Sequence, residues 1–227
     1  MPISLTLQRK LRRWHRGLAV ITALQLLAWT VSGVFFALVD IEQVRGSQHR
    51  QPVESGSINL ADMAWQVSAV EALELRQRRP GEWIVGVRRD EGTSWLDTSG
   101  EELQTLGADD ALLLVNRQTD LAVTHVEWVD EPVEGSEFRG RPLPLWRAYA
   151  TERPTTVAYL DATSGEVVAI RNTAWRWWDF LWSLHIMDYD DRDDIGTVLL
   201  KIFSVLAVLT AIAGIALYFL IPRKKSA

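Results

Sequence analysis

Few side chains in this 227-residue chain have the type and spacing that chemistry needs. There are four histidines (His15, His49, His125 and His185) and no cysteine, which excludes disulfides and thiol catalysis. Imidazole is a proton carrier and a common metal ligand. His15 stands just before one long apolar run and His185 shortly before another, whereas His49 in a polar stretch and His125 in a strand-like one read as ordinary histidines. Asp188, Asp190, Asp191, Asp193 and Asp194 offer oxygen atoms of the kind a hard cation takes. They lack the spaced glycine and closing glutamate of an EF-hand loop, and their simpler role is to complement the positive N-terminal end of the helix that follows. No HExxH, GxSxG, GxGxxG or phosphate loop occurs, and nothing draws serine, histidine and aspartate into a triad. No catalytic residue is expected, and the chain is not expected to be a hydrolase.

The elements that position these histidines follow from charge and hydropathy. Gly17 to Val39 is a run of 23 residues without a charge, and Val198 to Ile221 is a run of 24 whose one charge is Lys201. At about 1.5 Å per residue each reaches roughly 35 Å as a helix, enough for a hydrocarbon core of about 30 Å. The first run is longer than the apolar stretch of a signal peptide (about 7–15 residues) and has no small-x-small cleavage site, so it is expected to be retained. Arg9, Lys10, Arg12, Arg13 and Arg16 precede it, and Arg223, Lys224 and Lys225 follow the second run. Residues 40–197 hold all 29 acids and 15 bases, a local charge of −14, which argues against nucleic acid as a partner. Positive-inside counting places both termini in the cytoplasm and 40–197 outside it, in an inner-membrane protein. The expected organisation is a cytoplasmic basic N-terminus (1–16), transmembrane helices at 17–39 and 198–221, and a cytoplasmic tail (222–227). Between the helices come a linker (40–57), an extracytoplasmic domain (58–173) and a tryptophan-rich segment (174–197). Trp175, Trp177, Trp178 and Trp182 are expected to anchor that segment at the bilayer interface.

Within the domain, Asn59 is expected to cap a helix through about Leu75, ended by Pro80-Gly81. Residues 83–89 and 93–97 alternate as strands, a helix is expected from Ala108 to about Arg117, and a strand near 122–129. A strand–turn–strand sequence occurs twice, around Asp97 and Gly100 and again around Asp161 and Gly165. In each copy the Asp side chain can accept backbone N–H bonds and the glycine can supply φ > 0. Two helix-plus-antiparallel-hairpin repeats, about 58–105 and 106–171, make an α+β domain on two transmembrane helices.

Trp14-His15-Arg16-Gly17, followed by a helix with Trp29 and Ser32-Gly33, resembles the first helix of PepSY-associated transmembrane proteins. Pro142-Leu143-Pro144-Leu145-Trp146-Arg147 and Tyr159-Leu160-Asp161 with Gly165-Glu166 resemble the final strands of their PepSY domain. Leu184-His185-Ile186-Met187-Asp188-Tyr189 and Ile212-Ala213-Gly214-Ile215-Ala216-Leu217 resemble the start and close of their next membrane helix. Soluble PepSY domains resemble peptidase propeptides, which implies an accessory module that binds a membrane or periplasmic protein. Longer relatives resemble haem-containing siderophore reductases, which implies a haem-dependent oxidoreductase with haem b on His15 and His185, serving electron transfer and iron uptake. Those two histidines stand near opposite membrane faces, so one chain cannot give both to one haem. A homodimer would pair each with its mate.

Overall fold

A computed structural model describes residues 5–54, 56–60, 63, 69–90 and 92–220. The chain divides into a helical unit, residues 1–40 with 177–227, and an α+β unit, residues 41–176.

In the helical unit, α1 (Leu5–Leu38) and α5 (Val198–Leu220) are both long and apolar enough to cross a membrane, by length and composition. Helix α4 (Thr173–Ile186) begins in the α+β unit and ends in the helical one. The basic tail expected at 222–227 lies outside the described residues.

The α+β unit opens with a short helix, α2 (Ile41–Arg45), and a 3₁₀ turn (Ser47–His49). This corrects the expectation of a plain linker over 40–57. Val44 is fully buried, and the Asn172 side-chain amide donates to the Gln43 carbonyl at 2.9 Å, so 41–50 is packed structure. Next come β1 (Ala72–Arg79), β2 (Glu82–Arg89) and β3 (Gly92–Leu96), an antiparallel sheet in that order. The helix expected through Leu75 is corrected at its C-terminal end, because residues 72–75 are strand. The 3/4 spacing counted there coincides with an alternation from Leu73 that pairs with β2, and Pro80-Gly81 is a hairpin turn instead of a helix stop. The rest of that expected helix includes 61, 62 and 64–68, which lie outside the described residues.

The second half holds α3 (Ala108–Gln118) and a four-stranded antiparallel sheet. Its strands are β4 (Val123–Val129), β5 (Leu145–Ala150), β6 (Val157–Asp161) and β7 (Val167–Arg171), in sequence order across the sheet. Ala111, Leu114 and Val115, spaced by three and one, put one face of α3 against Ala148, Ala158, Leu160 and Ile170. The opposite face of the sheet is covered by Phe138, from the polar insertion, over Leu145, Val157, Tyr159 and Ala169. Central β6 is therefore buried along its whole length, which is why VAYLD shows no polar alternation until Asp161.

The two Asp-Gly turns are built alike. Asp161 Oδ1 accepts the N–H of Thr163 (3.0 Å) and Ser164 (2.6 Å), and Gly165 follows at φ 73°. Asp97 Oδ1 accepts the N–H of Ser99 (2.8 Å) and Glu101 (3.0 Å), with Gly100 at φ 93°. The first copy closes only as a single bridge, Leu96 to Glu102, whereas the second opens into the β6–β7 hairpin. A Cβ on Gly165 would lie 2.9 Å from Leu114 Cδ1 of α3. Gly165→Ala is therefore expected to destabilise by about 1–3 kcal/mol, from strain at positive φ and overpacking. Thermal unfolding of the full chain followed by circular dichroism checks this, and a variant melting with the wild type contradicts it.

Candidate functional site

Polarity in α1 is arranged inside out. Val20, Ile21, Leu24, Leu27, Val31 and Val34 are more than half exposed, while Thr22 and Ser32 are 2% and 0% exposed. The covered stripe His15, Leu18, Thr22, Gln25, Trp29, Ser32, Phe36 repeats at alternating steps of three and four. Helix α5 presents Phe203, Ala207, Thr210, Gly214 and Leu217 as its less exposed stripe. Thr22 Oγ1 turns its proton onto the Leu18 carbonyl at 3.0 Å, which satisfies the hydroxyl within its own helix.

His15 lies against α5. A Cβ on Gly214 would come within 3.2 Å of the imidazole Cε1, so glycine allows the ring to rest on the helix backbone. Its Nδ1 and the Thr210 hydroxyl are buried without a hydrogen-bond partner among the described residues.

His185 closes the last turn of α4, where the final carbonyls have no partner within the helix. Side chains outside α4 supply the donors. Gln25 Nε2 donates to the Leu184 carbonyl (3.4 Å), Trp29 Nε1 to His185 (2.6 Å), and Thr197 Oγ1 to Ile186 (3.2 Å). The imidazole itself meets Ser32, with Nδ1 2.8 Å from Oγ. That hydroxyl also reaches the Ala28 carbonyl at 2.9 Å and the Trp29 carbonyl at 3.1 Å, and which member of the Ser32–His185 pair donates depends on the imidazole tautomer. Nε2 makes no hydrogen bond among the described residues. Aromatic rings wall the site. Trp182 stacks on the imidazole at 7°, Phe36 meets it edge-on at 5.7 Å, and Trp29 lies 6.2 Å away.

The tryptophans do not act as one interfacial belt. Trp175 is buried in the α+β unit with Arg171 over its ring at 4.3 Å, which corrects its expected role as an anchor. Trp178 and Trp182 stack on each other at 5.2 Å and pack on Phe36 of α1, so they too face protein. Trp177, with Phe180, remains on the exposed side.

The acidic cluster folds its own loop instead of capping α5. Asp188 accepts the N–H of Asp193 and Asp194, each at 2.9 Å, and the Asp179 carboxylate pairs with Arg192. The N-terminus of α5 is capped by Thr197, whose Oγ1 accepts the Leu200 N–H at 3.2 Å. His49 Nδ1 pairs with Asp120 at 2.9 Å, and exposed His125 stacks on Tyr149. Among the described residues no three histidines or carboxylates converge as metal ligands.

One imidazole nitrogen of His185 is held by Ser32, and the ring's surroundings are half-buried and aromatic. His15 lies 17 residues before Ser32 on α1, about 25 Å along the helix axis. The two histidines therefore stand at different levels of α1 and do not converge on one site. Sequence reasoning singled out both histidines but missed Ser32 as the partner of His185, since the two are 153 residues apart.

No protein-family model matches this chain, and no curated protein or solved structure matches it.

Backbone N–H groups, that of Asp194 foremost, hold the Asp188 carboxyl below its ordinary value of 3.8. A carboxyl lowered by folding stabilises the loop above its unfolded pKa and loses that contribution as pH falls through the folded value. The loop is expected to stay closed at pH 5 and to open only below pH 3.8. Asp188→Asn is expected to speed amide exchange of Asp193 and Asp194 at neutral pH by about tenfold. Unchanged exchange in that variant would remove Asp188 as the organiser of the loop.

Proposed function

We propose that this chain is a two-pass inner-membrane protein that presents its α+β unit outside the cytoplasm as an interaction and accessory module of the PepSY kind. The inside-out polarity of α1 supports the membrane reading, because apolar side chains face outward where lipid would lie and polar ones face α5 and α4. The basic flank of α1 and the acidic 40–197 segment support the orientation with both termini in the cytoplasm. The observation that carries the interaction reading is strand β4. It is an edge of the four-stranded sheet, and residues 124–129 have no backbone partner on their outer side among the described residues. Such an edge accepts an extended peptide as an added strand, with exposed Thr124, Glu127 and Trp128 to read it.

Because the chain has no cysteine, topology is directly testable. Glu134→Cys, at an exposed position, is expected to react with a membrane-impermeant maleimide in spheroplasts, and Thr6→Cys only after lysis; the reverse pattern inverts the orientation. A photo-crosslinking residue at Thr124 is expected to trap one extracytoplasmic protein that the same probe at Arg88 does not. No adduct specific to Thr124 would count against strand addition.

The Ser32–His185 pair favours a second reading, a dimeric haem-b carrier in which His185 would hold the haem iron. The haem would supply one-electron chemistry, while Ser32 orients the imidazole and the aromatic wall excludes water. Purified with haem available, the chain would show a Soret band and sharp reduced α/β bands that His185→Ala abolishes. A colourless wild type leaves the interaction module alone.

A further inference from the structure

Every acid of the chain lies between Asp40 and Asp194, so the basic segment that opens α1 has no carboxylate within its own helix or within α5. Lys10, Arg13, Trp14, Gly17, Leu18 and Ile21, all from α1, line a groove of about 670 Å³. Steps of three, one, three, one and three keep these six on one face of the helix. Leu18 borders the covered stripe that carries His15 and Thr22. Arg9, Arg12 and Arg16 fall roughly a third of a turn away on the other side.

The groove is cationic at one end and apolar at the other. Lys10 and Arg13 are exposed, and neither side chain has an ion-pair or hydrogen-bond partner among the described residues. Trp14 is 72% exposed, and its indole N–H has no acceptor there. Gly17 opens the floor, since a Cβ at that position would meet nothing within 4 Å. Gly17, Leu18 and Ile21 belong to the uncharged run, so they lie at hydrocarbon depth in the two-pass arrangement. Arg13 stands about 6 Å and Lys10 about 10 Å before Gly17 along the axis. The headgroup layer of one leaflet is about 5–8 Å thick, so Arg13 falls within it and the Lys10 stem reaches back into it.

We propose that this face of α1 is a binding site for an acidic glycerophospholipid of the cytoplasmic leaflet. The phosphate sits between Lys10 and Arg13, which are one turn apart, and takes charge-assisted hydrogen bonds from both. The Trp14 indole N–H donates to an oxygen of the headgroup or glycerol, and its ring covers the upper part of a chain. The chain runs down over Gly17 between Leu18 and Ile21, where a side chain would otherwise stand. A soluble anion could use only the cationic end, so the apolar end selects a lipid. A choline headgroup would bring its own cation beside Lys10 and Arg13, so the site prefers an acidic lipid to a zwitterionic one. The site rests on the two-pass reading, and it is independent of haem at His185 and of strand addition at β4.

Extraction of membranes with alkaline carbonate comes first: release of the chain overturns the two-pass reading and this site together, and retention leaves the site to be judged alone. Native mass spectrometry of the full chain in detergent then counts phosphatidylglycerol against phosphatidylcholine adducts from an equimolar mixture. The double variant Lys10→Gln/Arg13→Gln is expected to lower that ratio about 10–30-fold. Arg9→Gln/Arg12→Gln removes the same charge from the neighbouring face and is expected to stay close to the wild type. Gly17→Leu fills the groove at unchanged charge, in open space and with a better helix former, and is expected to lower the ratio as well. Equal loss in the two double variants, a Gly17→Leu chain that binds like the wild type, or a wild type with no preference for phosphatidylglycerol each overturns the proposal.

Discussion

A helix with serine, threonine, glutamine and histidine on one stripe has two ways to satisfy them, water or protein. In α1 that stripe is turned inward, and the rest of the helical unit is arranged to receive it. Thr22 and Ser32 bring their hydroxyls to carbonyls of their own helix, while Gln25 and Trp29 reach out to the carbonyls that end α4. The end of α4 therefore closes on donors from α1, and the position of His185 follows from that closure. Without this inward polarity, α4 would end on bare carbonyls and the His185 ring would lose its hydroxyl partner.

The α+β unit has a different logic. Its second half buries a sheet on both faces, so that α3 and the segment carrying Phe138 each cover one side. Covering the outer face brings Glu137 and the arginines around it into the same region as Trp175. Charge is collected there because the 130–141 insertion must satisfy its own polar groups while Phe138 packs against Tyr159.

Much of this unit was legible in its sequence. Alternation marked β2 and β3, apolar spacing marked α3, and the repeated Asp-Gly pattern marked two turns whose aspartates accept the same kind of N–H bond. β1 was not legible, because Glu74, Arg76 and Arg78 on one face dilute an alternation whose apolar members overlap a helical spacing. Arg78 is nearly buried, bonded to the Gln104 carbonyl and Glu82, a use of arginine that no pattern announces. The histidines were visible as residues, but the contacts that orient them join segments far apart in sequence. Trp175 read as one of a set, yet it sits a turn earlier on α4 than its fellows and packs elsewhere.

Trp178, Trp182 and His185 occupy positions i, i+4 and i+7 of α4 and so share one side of the helix. Each α-helical residue turns the chain by about 100°. Between Trp178 and His185 this stretch is consequently intolerant of a one-residue insertion or deletion, although many substitutions on the opposite side would pass unnoticed. A single added residue would rotate the imidazole away from both indoles and from Ser32 without changing composition or hydropathy. What the packing requires there is the count of residues as much as their identity, a rotational phase set over seven steps of the helix.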